Sequence, residues 1–363
     1  IGDTIRLDDI EDAVVRGYGS ILLTSPLVNS FNIGTVIANL GNLGFTGNWI
    51  QQTPTLSIGT STDRIAMSQD TTRFAASRSD GVIRVYRYDR VSTTDMSTEW
   101  KQFGNTIQTF HHTPSLALNA DGSILAVGLY NQTGIDGTLQ SGGVKIYENF
   151  SNDDNSDWIE TFSFTGSGVA NSNLGTVVDI SDDGNVVVAG QPGPDQGAAD
   201  SATGSVLFIS NTGNGYEHIG SIPSTSIQGS FTDSEGSKFG SPISLNSDAT
   251  KLMVGSPLSD EEIITNGGVV GGSSVGAVYE YEITDHTGTS PNGWWSVNNN
   301  YIKGDTSVQK FGTAIDVSDD GGTVAVYSPG EGDTTHGVVE IFEKINNSWQ
   351  LKGMPIVQLD TTI

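Results

Sequence analysis

Short alternating apolar and polar segments, separated by polar turns, run along most of the 363-residue chain. One such segment, which ends in a turn with aspartate, recurs five times, and a short apolar segment follows each copy. The five copies are "RIAMSQD" (64–70), "SLALNADG" (115–122), "VVDISDDG" (177–184), "PISLNSDA" (242–249) and "AIDVSDDG" (314–321). Alternation with a period of two predicts a strand, and Asp-Gly between two strands predicts a tight hairpin. The pattern therefore predicts five similar hairpins, and "GYGSILLTSP" (17–26) fits the same template.

Two more signals follow in the same order along the chain. A glycine with a β-branched residue two positions later predicts the start of a third strand, at Gly34, Gly81, Gly142, Gly204, Gly276 and Gly337. An aromatic residue predicts the start of a fourth strand, at Trp49, Trp100, Trp158, Tyr216, Trp295 (or Trp294) and Trp349. Large aromatic side chains at one place in each repeat are expected to pack between neighbouring units.

These repeats predict an all-β fold, a β-propeller of four-stranded antiparallel blades, as a single domain over 1–363. Such a sheet cannot bury both faces alone, whereas stacking on its own copies covers them. We count six units, called units 1 to 6: 1–58, 59–112, 113–172, 173–236, 237–309 and 310–363. Seven blades are the alternative, with an extra blade between Thr250 and Gln309. Pairing of "IGDTIRL" with "PIVQLD" would join the two termini in one blade.

The repeats resemble the FG-GAP class of propellers, the type seen in the integrin α-subunit head. The matching residues are Phe239-Gly240 and Phe311-Gly312 for "FG", and "GQP" (190–192), "GSP" (255–257) and "YSP" (327–329) for "GAP". The resemblance covers nearly the whole chain. It implies seven blades more often than six. It also implies calcium loops of the form D-x-[DN]-x-D-G-x-x-D before the second strand of a blade.

Two hairpins keep the first half of that calcium loop. The candidate ligands are Asp179, Ser181 and Asp183 in one hairpin, and Asp316, Ser318 and Asp320 in the other. The ninth position, where the resemblance implies an acid, holds Val187 and Val324. Calcium takes six to eight oxygen ligands, and this half supplies about three. The alternative is that these residues serve the turn, where aspartate and serine accept backbone amides. We therefore expect no cofactor, with calcium as the one candidate.

The charge of the chain is strongly acidic. It has 42 acidic and 16 basic residues, a net charge of −26. This disfavours nucleic acid and anionic membrane surfaces, because both carry phosphate. The absence of cysteine excludes disulfides, thiolate metal sites and a cysteine nucleophile. Since no run of 18 apolar residues occurs, membrane insertion is not expected. The expected partners are a protein or glycan at a surface, or copies of the chain itself.

Few residues suggest catalysis. The five histidines, at 111, 112, 218, 286 and 336, show no metal-binding or catalytic spacing, and no nucleophile elbow or phosphate-binding loop occurs. No catalytic residue is therefore predicted. Three N-x-[ST] sequons, at Asn131, Asn149 and Asn346, are candidate glycosylation sites if the protein is secreted.

We therefore expect a non-catalytic β-propeller, extracellular or surface-exposed, that mediates protein or glycan recognition, adhesion or assembly. One alternative is a structural subunit of a shell, fibre or appendage, and a second is a polysaccharide-acting propeller enzyme. Function is expected in the long loops, because strands and short turns are committed to packing. These loops are 131–143, 192–204, 256–276 and 283–295, and the third contains "TNGGVVGGSSVG", which we expect to be flexible.

Overall fold

The computed structural model describes most of the chain after residue 61. The described residues are 3–5, 13–15, 62–90, 98–151, 156–166, 169–193, 204–223, 237–260, 262–265, 268–271, 274–286, 295–305, 309–329 and 337–357. All regular elements in this part are β-strands. No helix within it is long and apolar enough to cross a bilayer. The predicted all-β class is confirmed.

Each of units 2 to 4 contains one antiparallel sheet, whose strands pair in chain order. Unit 2 has β3 (Thr62–Met67), β4 (Arg73–Arg78), β5 (Val82–Arg90), β6 (Thr98–Gln102) and the short edge strand β7 (Ile107–Gln108). Unit 3 has β8 (Ser115–Leu118), β9 (Ile124–Gly128), β10 (Gly143–Glu148) and β11 (Ile159–Thr165). Unit 4 has β12 (Val178–Ile180), β13 (Val186–Gln191), β14 (Ser205–Asn211) and β15 (Tyr216–Pro223).

Units 5 and 6 repeat this arrangement, and two smaller strand pairs complete the described elements. Unit 5 has β16 (Ile243–Leu245), β17 (Lys251–Ser256), β20 (Ala277–Ile283) and β21 (Trp295–Lys303). Unit 6 has β22 (Ala314–Val317), β23 (Thr323–Ser328), β24 (Val338–Ile345), β25 (Ser348–Leu351) and the edge strand β26 (Ile356–Val357). The small pairs are β1 (Asp3–Ile5) with β2 (Ala13–Val15), and β18 (Glu262–Thr265) with β19 (Gly268–Gly271).

The sheets pack face to face around an axis, with the first strand of each sheet innermost. Neighbouring first strands contact each other in the order β3, β8, β12, β16 and β22. A separate apolar cluster fills each interface between consecutive sheets of units 2 to 6. Both faces of the sheets in units 3 to 5 are therefore buried, as radial stacking requires.

Glycine contacts between neighbouring sheets explain the two glycine-bearing motifs. A Cβ built on Gly190, in "GQP", would overlap the carbonyl oxygen of Gly240, in "FG" of the next unit, and Gly255 faces Gly312 in the same way. The glycine that opens the third strand is equally confined, because a Cβ on Gly142 would overlap the backbone of Leu174. The repeated glycines thus allow the backbones of adjacent units to approach each other closely.

Two expectations differ from the structure. The segment "TNGGVVGGSSVG" was expected to be flexible, but its first part belongs to the β18–β19 hairpin, since Thr265 pairs with Gly268. Asp3–Ile5 pairs with Ala13–Val15, and Ile356–Val357 pairs within unit 6, so the described strands do not join the two termini. The units themselves, the number of blades and the first repeat remain predictions, because most of unit 1 lies outside the described residues.

Candidate functional site at the axial turns

The turn between the first and second strands has the same side-chain structure in all five described sheets. Its aspartate accepts the backbone N–H two residues later. The bonds run from Thr72 to Asp70 (2.9 Å), Ser123 to Asp121 (2.9 Å), Asn185 to Asp183 (2.9 Å), Thr250 to Asp248 (3.0 Å) and Gly322 to Asp320 (2.8 Å). The carboxylate thus holds the tight turn that Asp-Gly or a similar pair begins.

The residue two positions before each aspartate closes the base of the turn. Its side-chain oxygen accepts the backbone N–H five residues later. These bonds run from Arg73 to Ser68 (3.0 Å), Ile124 to Asn119 (2.9 Å), Val186 to Ser181 (3.0 Å), Lys251 to Asn246 (2.7 Å) and Thr323 to Ser318 (2.9 Å). The hydroxyl oxygens of Ser181 and Ser318 therefore stabilise their turns by accepting a backbone N–H, a common local role of serine.

Backbone hydrogen bonds join these turns to one another around the axis. Each donor belongs to one unit and each acceptor to the next. The bonds run from Asp70 N to Ala120 O (3.1 Å), Ala120 N to Asp182 O (3.1 Å), Asp182 N to Ser247 O (2.9 Å) and Ser247 N to Asp319 O (3.3 Å). The Gln69 side chain then donates to Asp319 Oδ2 across 3.2 Å, which connects units 2 and 6. The five turns therefore form one axial end of the molecule, which we call the axial face.

Two carboxylates lie on the inner strands behind this face. Asp179 accepts the N–H of Ile180 at 2.9 Å and that of Leu245, in the next unit, at 2.8 Å. Burial raises the pKa of Asp179 to about 6, although both N–H bonds lower it. Burial also raises the pKa of Asp316 to about 7, and the charge of Asp179 adds to this rise. Carboxyl groups with raised pKa values in a confined space are unusual and mark the axial region as a candidate site.

Two more carboxylates lie at the axial face itself. Asp182 and Asp319 are half-buried, and burial followed by the charge of Asp319 raises the pKa of Asp182. Burial also raises the pKa of Asp319. The Gln69 amide lowers the pKa of Asp182 and of Asp319 by hydrogen bonding, but the effect of burial is larger and both values stay raised. Sequence reasoning did not single out Asp182 or Asp319, because each looks like one more polar turn residue. A signal was present, since both occupy the position directly before the turn aspartate.

The candidate calcium ligands are divided between two places. The carboxylates of Asp179 and Asp316 lie on the inner strands, whereas those of Asp183 and Asp320 hold the turns. Asp183 accepts Ser181 Oγ at 2.7 Å and the Asn185 side chain at 2.8 Å, besides the Asn185 N–H. Within the described residues, no group of three or more histidine, cysteine, aspartate or glutamate side chains could hold a metal ion. The geometry thus favours the turn interpretation of these residues.

We expect calcium to leave the melting temperature of the protein unchanged. The oxygens of Asp183 already accept hydrogen bonds, so a cation would have to replace them. Asp183→Ala should cost about 1 kcal/mol through the lost turn bonds, and Asp183→Asn should cost less, because an amide oxygen can still accept an N–H. Thermal melts with millimolar calcium or chelator test this. A clear calcium-dependent rise that Asp183→Ala abolishes would contradict it.

We also expect stability to fall between about pH 4 and pH 7. The pKa values of Asp179 and Asp316 in the folded state, about 6 and about 7, lie above the ordinary value of 3.8. The folded state therefore binds protons more tightly than the unfolded state. The resulting stabilisation is complete below the ordinary pKa and is lost as the pH rises through the folded values. Melting temperatures measured across this range test the expectation.

The control for this pH dependence is the pair Asp179→Asn and Asp316→Asn. Each amide is neutral at every pH, so the double variant should show a flatter profile over the same range. An unchanged slope would assign the effect to the general acidity of the chain.

At lower pH the turn aspartates change the stability in the opposite direction. Hydrogen bonds from its turn hold the pKa of Asp183 below its usual value despite partial burial, so that contribution is lost as the pH falls.

The aromatic residues that open the fourth strands lie between sheets. Trp158, Tyr216, Trp295 and Trp349 each pack in or against the cluster shared with the preceding unit. The indole N–H of Trp158 donates to Phe103 O at 3.0 Å, and that of Trp349 donates to Glu280 Oε2 at 3.1 Å. Trp100 packs in a cluster of unit 2 alone, and Trp49 lies outside the described residues.

A buried ion pair between units 5 and 6 was not predicted. Glu280 is fully buried, and its Oε1 lies 2.6 Å from Lys344 Nζ, whose side chain is 10% exposed. Trp349 donates to the other carboxylate oxygen. The alternation of "AVYEYEI" suggests a solvated glutamate face, but in stacked sheets that face meets a neighbour. Only the neighbouring unit reveals that Glu280 has a partner.

The three sequons differ in accessibility. Asn149 is buried, and its amide nitrogen donates to Ser156 O at 3.2 Å. Asn131 is half-buried, whereas Asn346 is exposed in the turn between β24 and β25. Glycosylation at any of them remains a prediction, and Asn346 is the sequon that the fold leaves most accessible.

No protein-family model and no curated protein matches the chain. Among solved structures, it is similar to the β-propeller domain of Cps50 (Swd1) from Myceliophteria thermophila, with a TM-score of 0.47 and 10% identity over 81% of this chain and 74% of that one. It is also similar to a putative 6-phosphogluconolactonase from Bacteroides fragilis, with a TM-score of 0.48 and 15% identity over 82% of this chain and 71% of that one. Such likeness concerns the fold alone. By its four-stranded antiparallel sheets and their radial packing, the chain is an all-β protein of the β-propeller fold.

Proposed function

We propose that the chain is a non-catalytic, extracellular or surface-exposed propeller that binds a basic protein partner with its axial face. The supporting observation is the convergence of carboxylates there. Five turn aspartates are exposed, namely Asp70, Asp121, Asp183, Asp248 and Asp320. Asp182 and Asp319 lie between them at the axis. The overall charge of −26 adds a long-range field of the same sign.

The axial carboxylates suit a partner rich in lysine and arginine. A cluster of one sign attracts the opposite charge during diffusion and suppresses wrong partners. Two cations near the axial face offset part of its negative charge. Arg73 donates to the carbonyl oxygen of Asp121, and Lys251 Nζ donates to the carbonyl oxygen of Gly321 at 3.4 Å. In these two bonds the cations donate to backbone oxygens, and the five exposed turn carboxylates keep their negative charge toward a partner while they hold the turns. Recognition, adhesion or assembly at a surface would all use such contacts.

A binding measurement tests this proposal. Fluorescence anisotropy would compare a lysine- and arginine-rich peptide with a glutamate-rich peptide of equal length, at low and at physiological salt. The double variant Asp182→Asn/Asp319→Asn should weaken binding of the basic peptide by roughly threefold to tenfold. The control is Glu160→Gln, which neutralises an exposed carboxylate on β11 that pairs with Lys145 at 2.7 Å. Equal binding of the two peptides, or equal effects of the two variants, would refute the proposal.

One observation favours a second candidate, a polysaccharide-acting enzyme. Asp316, with a pKa of about 7, could donate a proton to a glycosidic oxygen at neutral pH. Release of reducing ends from a panel of acidic and neutral polysaccharides, abolished by Asp316→Asn, would support this function. If no polysaccharide is cleaved, the enzyme interpretation fails, while the binding test above is unaffected.

A further inference from the structure

One connection between units exposes a large aromatic side chain. In the connections that lead to units 4, 5 and 6, the residue beside the third-strand glycine of the preceding unit is apolar and buried, namely Leu174, Phe239 and Phe311. In the connection from unit 2 to unit 3, His111 holds this place, with its backbone against Gly81. The phenylalanine of this connection, Phe110, stands one position earlier and is 84% exposed. This connection therefore places a histidine where the others bury an apolar side chain, and leaves its phenylalanine in solvent.

The backbone of Phe110 is also unusual. Its φ is +58°, in the left-handed region that a bulky side chain rarely adopts. The matching residues of the other three connections share this conformation, and all of them are polar: Asn173 (+56°), Lys238 (+55°) and Lys310 (+53°). Asparagine tolerates this region better than most residues. Folding alone thus favours a polar residue at position 110, and the strained, exposed phenylalanine indicates contact with another molecule.

Two more exposed apolar side chains lie at the same end of the molecule as Phe110. The axial turns join first strands to second strands, so connections that follow a second or a fourth strand lie at the opposite end of the antiparallel sheets. The loop between β9 and β10 is one of these, and it exposes Ile135 (84%) and Leu139 (69%). We call the surface that carries Phe110, Ile135 and Leu139 the distal face.

Hydrogen bonds hold the loop that carries Ile135 and Leu139. Within the loop, Thr138 N donates to Asp136 Oδ1 at 3.0 Å. From the connection to unit 4, Asn171 N donates to Leu139 O at 3.1 Å. The two apolar side chains are thus presented on a fixed backbone, which lowers the entropy that binding costs.

The charge distribution favours a second copy of the chain as the occupant of the distal face. Two chains that each carry a net charge of −26 repel each other most strongly where their exposed aspartates meet, at the axial faces. Second strands of five or six residues separate the two ends by about 17–20 Å. This exceeds the Debye length of about 8 Å at physiological salt. Two copies that meet at their distal faces therefore keep their axial carboxylates far apart.

We propose that two copies of the chain associate through their distal faces, with Phe110 of each copy against Ile135 and Leu139 of the other. Such a contact uses the same apolar surface twice and closes at two copies. The dimer presents its two axial faces in opposite directions. The proposal depends on the apolar side chains of the distal face and not on what the axial face binds.

Sedimentation velocity of the full chain over the micromolar range tests this proposal. The mass of the unaltered protein should rise with concentration from that of one chain to that of two. Phe110→Asn should raise the dissociation constant of the dimer by at least roughly tenfold, because a central aromatic contact is lost. Its melting temperature should stay unchanged or rise, since asparagine accepts the positive φ. A residue that only served folding would show the opposite, a lower melting temperature and an unchanged mass.

A second variant and a matched control complete the test. Ile135→Gln/Leu139→Gln should also weaken the dimer, because it removes the surface that receives Phe110. The control is Phe150→Asn, which replaces a phenylalanine that is 69% exposed in the loop between β10 and β11, at the axial end. It should leave the dissociation constant of the dimer unchanged.

Four outcomes would overturn the proposal. They are a single-chain mass of the unaltered protein at every concentration, growth beyond two copies, equal weakening by Phe110→Asn and Phe150→Asn, and a clearly lower melting temperature of Phe110→Asn. Binding of the basic peptide to the axial face is a separate readout, and Phe110→Asn should leave the affinity of each site for it unchanged. Failure of the dimer is therefore distinguishable from failure of the proposed function.

Discussion

Lys344→Met is expected to destabilise the protein by about 3–5 kcal/mol, because it leaves Glu280 charged and unpaired in a fully buried position. Methionine keeps most of the length of the lysine stem, so the loss reports the ion pair rather than a cavity. Urea unfolding monitored by tryptophan fluorescence measures the effect. An effect below about 1 kcal/mol would show that this ion pair contributes no more than an exposed one.

Two controls sharpen this prediction. Lys352→Met removes an exposed pair in the same sheet, in which Lys352 lies 2.9 Å from Glu343, and should cost less than about 1 kcal/mol. The double variant Glu280→Gln/Lys344→Met should recover much of the loss, because no buried charge remains and the new amide oxygen can still accept the N–H of Trp349. If the double variant is as unstable as Lys344→Met, packing rather than charge explains the loss.

Gly142→Ala is expected to destabilise the protein by roughly 2–5 kcal/mol. Gly142 has a φ of +77°, which disfavours any side chain. A Cβ there would also overlap the carbonyl oxygen and the amide nitrogen of Leu174, in the next unit. The backbone atoms of Leu174 cannot move aside as the end of a side chain can. The backbone strain at Gly142 and the overlap with Leu174 therefore both add to the loss of stability. Thermal and urea unfolding measure the sum.

Gly137, in the same loop, separates the two causes. Its φ is +84°, and a Cβ there would meet nothing within 4 Å. Gly137→Ala should therefore cost only the backbone strain, about 1–2 kcal/mol. The difference between the two variants measures the contact between units. Equal losses would show that the close approach of Gly142 to Leu174 contributes nothing to stability.

The strands and turns could be predicted from the sequence because they depend on local chemistry. Alternation in "VVDISDDG" gives the first strand, and Asp183 gives the turn, since an aspartate there can hold it without help from other units. The third-strand glycines, such as Gly142, were also visible as a repeated signal. The reason that these positions require glycine was not visible in the sequence, because it is the close approach of the backbone of the next unit.

The candidate site could be predicted only in part. Asp179 and Asp183 were both noticed in the first half of a calcium loop, but the period of a strand does not say which residues line the axis. The axial position of Asp182 depends on hydrogen bonds to Ala120 and Ser247, in two other units. Glu280 shows the same limit, since its partner lies 64 residues away. Properties that arise between units need the assembled ring.

The hydrogen bonds between axial turns imply a gradient of protection within each sheet. The amides of Ala120, Asp182 and Ser247 are tied to a neighbour at the centre, whereas the fourth strand of unit 3, from Ile159, is exposed at its start. Amide deuterium exchange should therefore be slowest near the hub and progressively faster toward the rim. Sequence change and inserted segments should be tolerated in the same order, least at the hub and most at the rim.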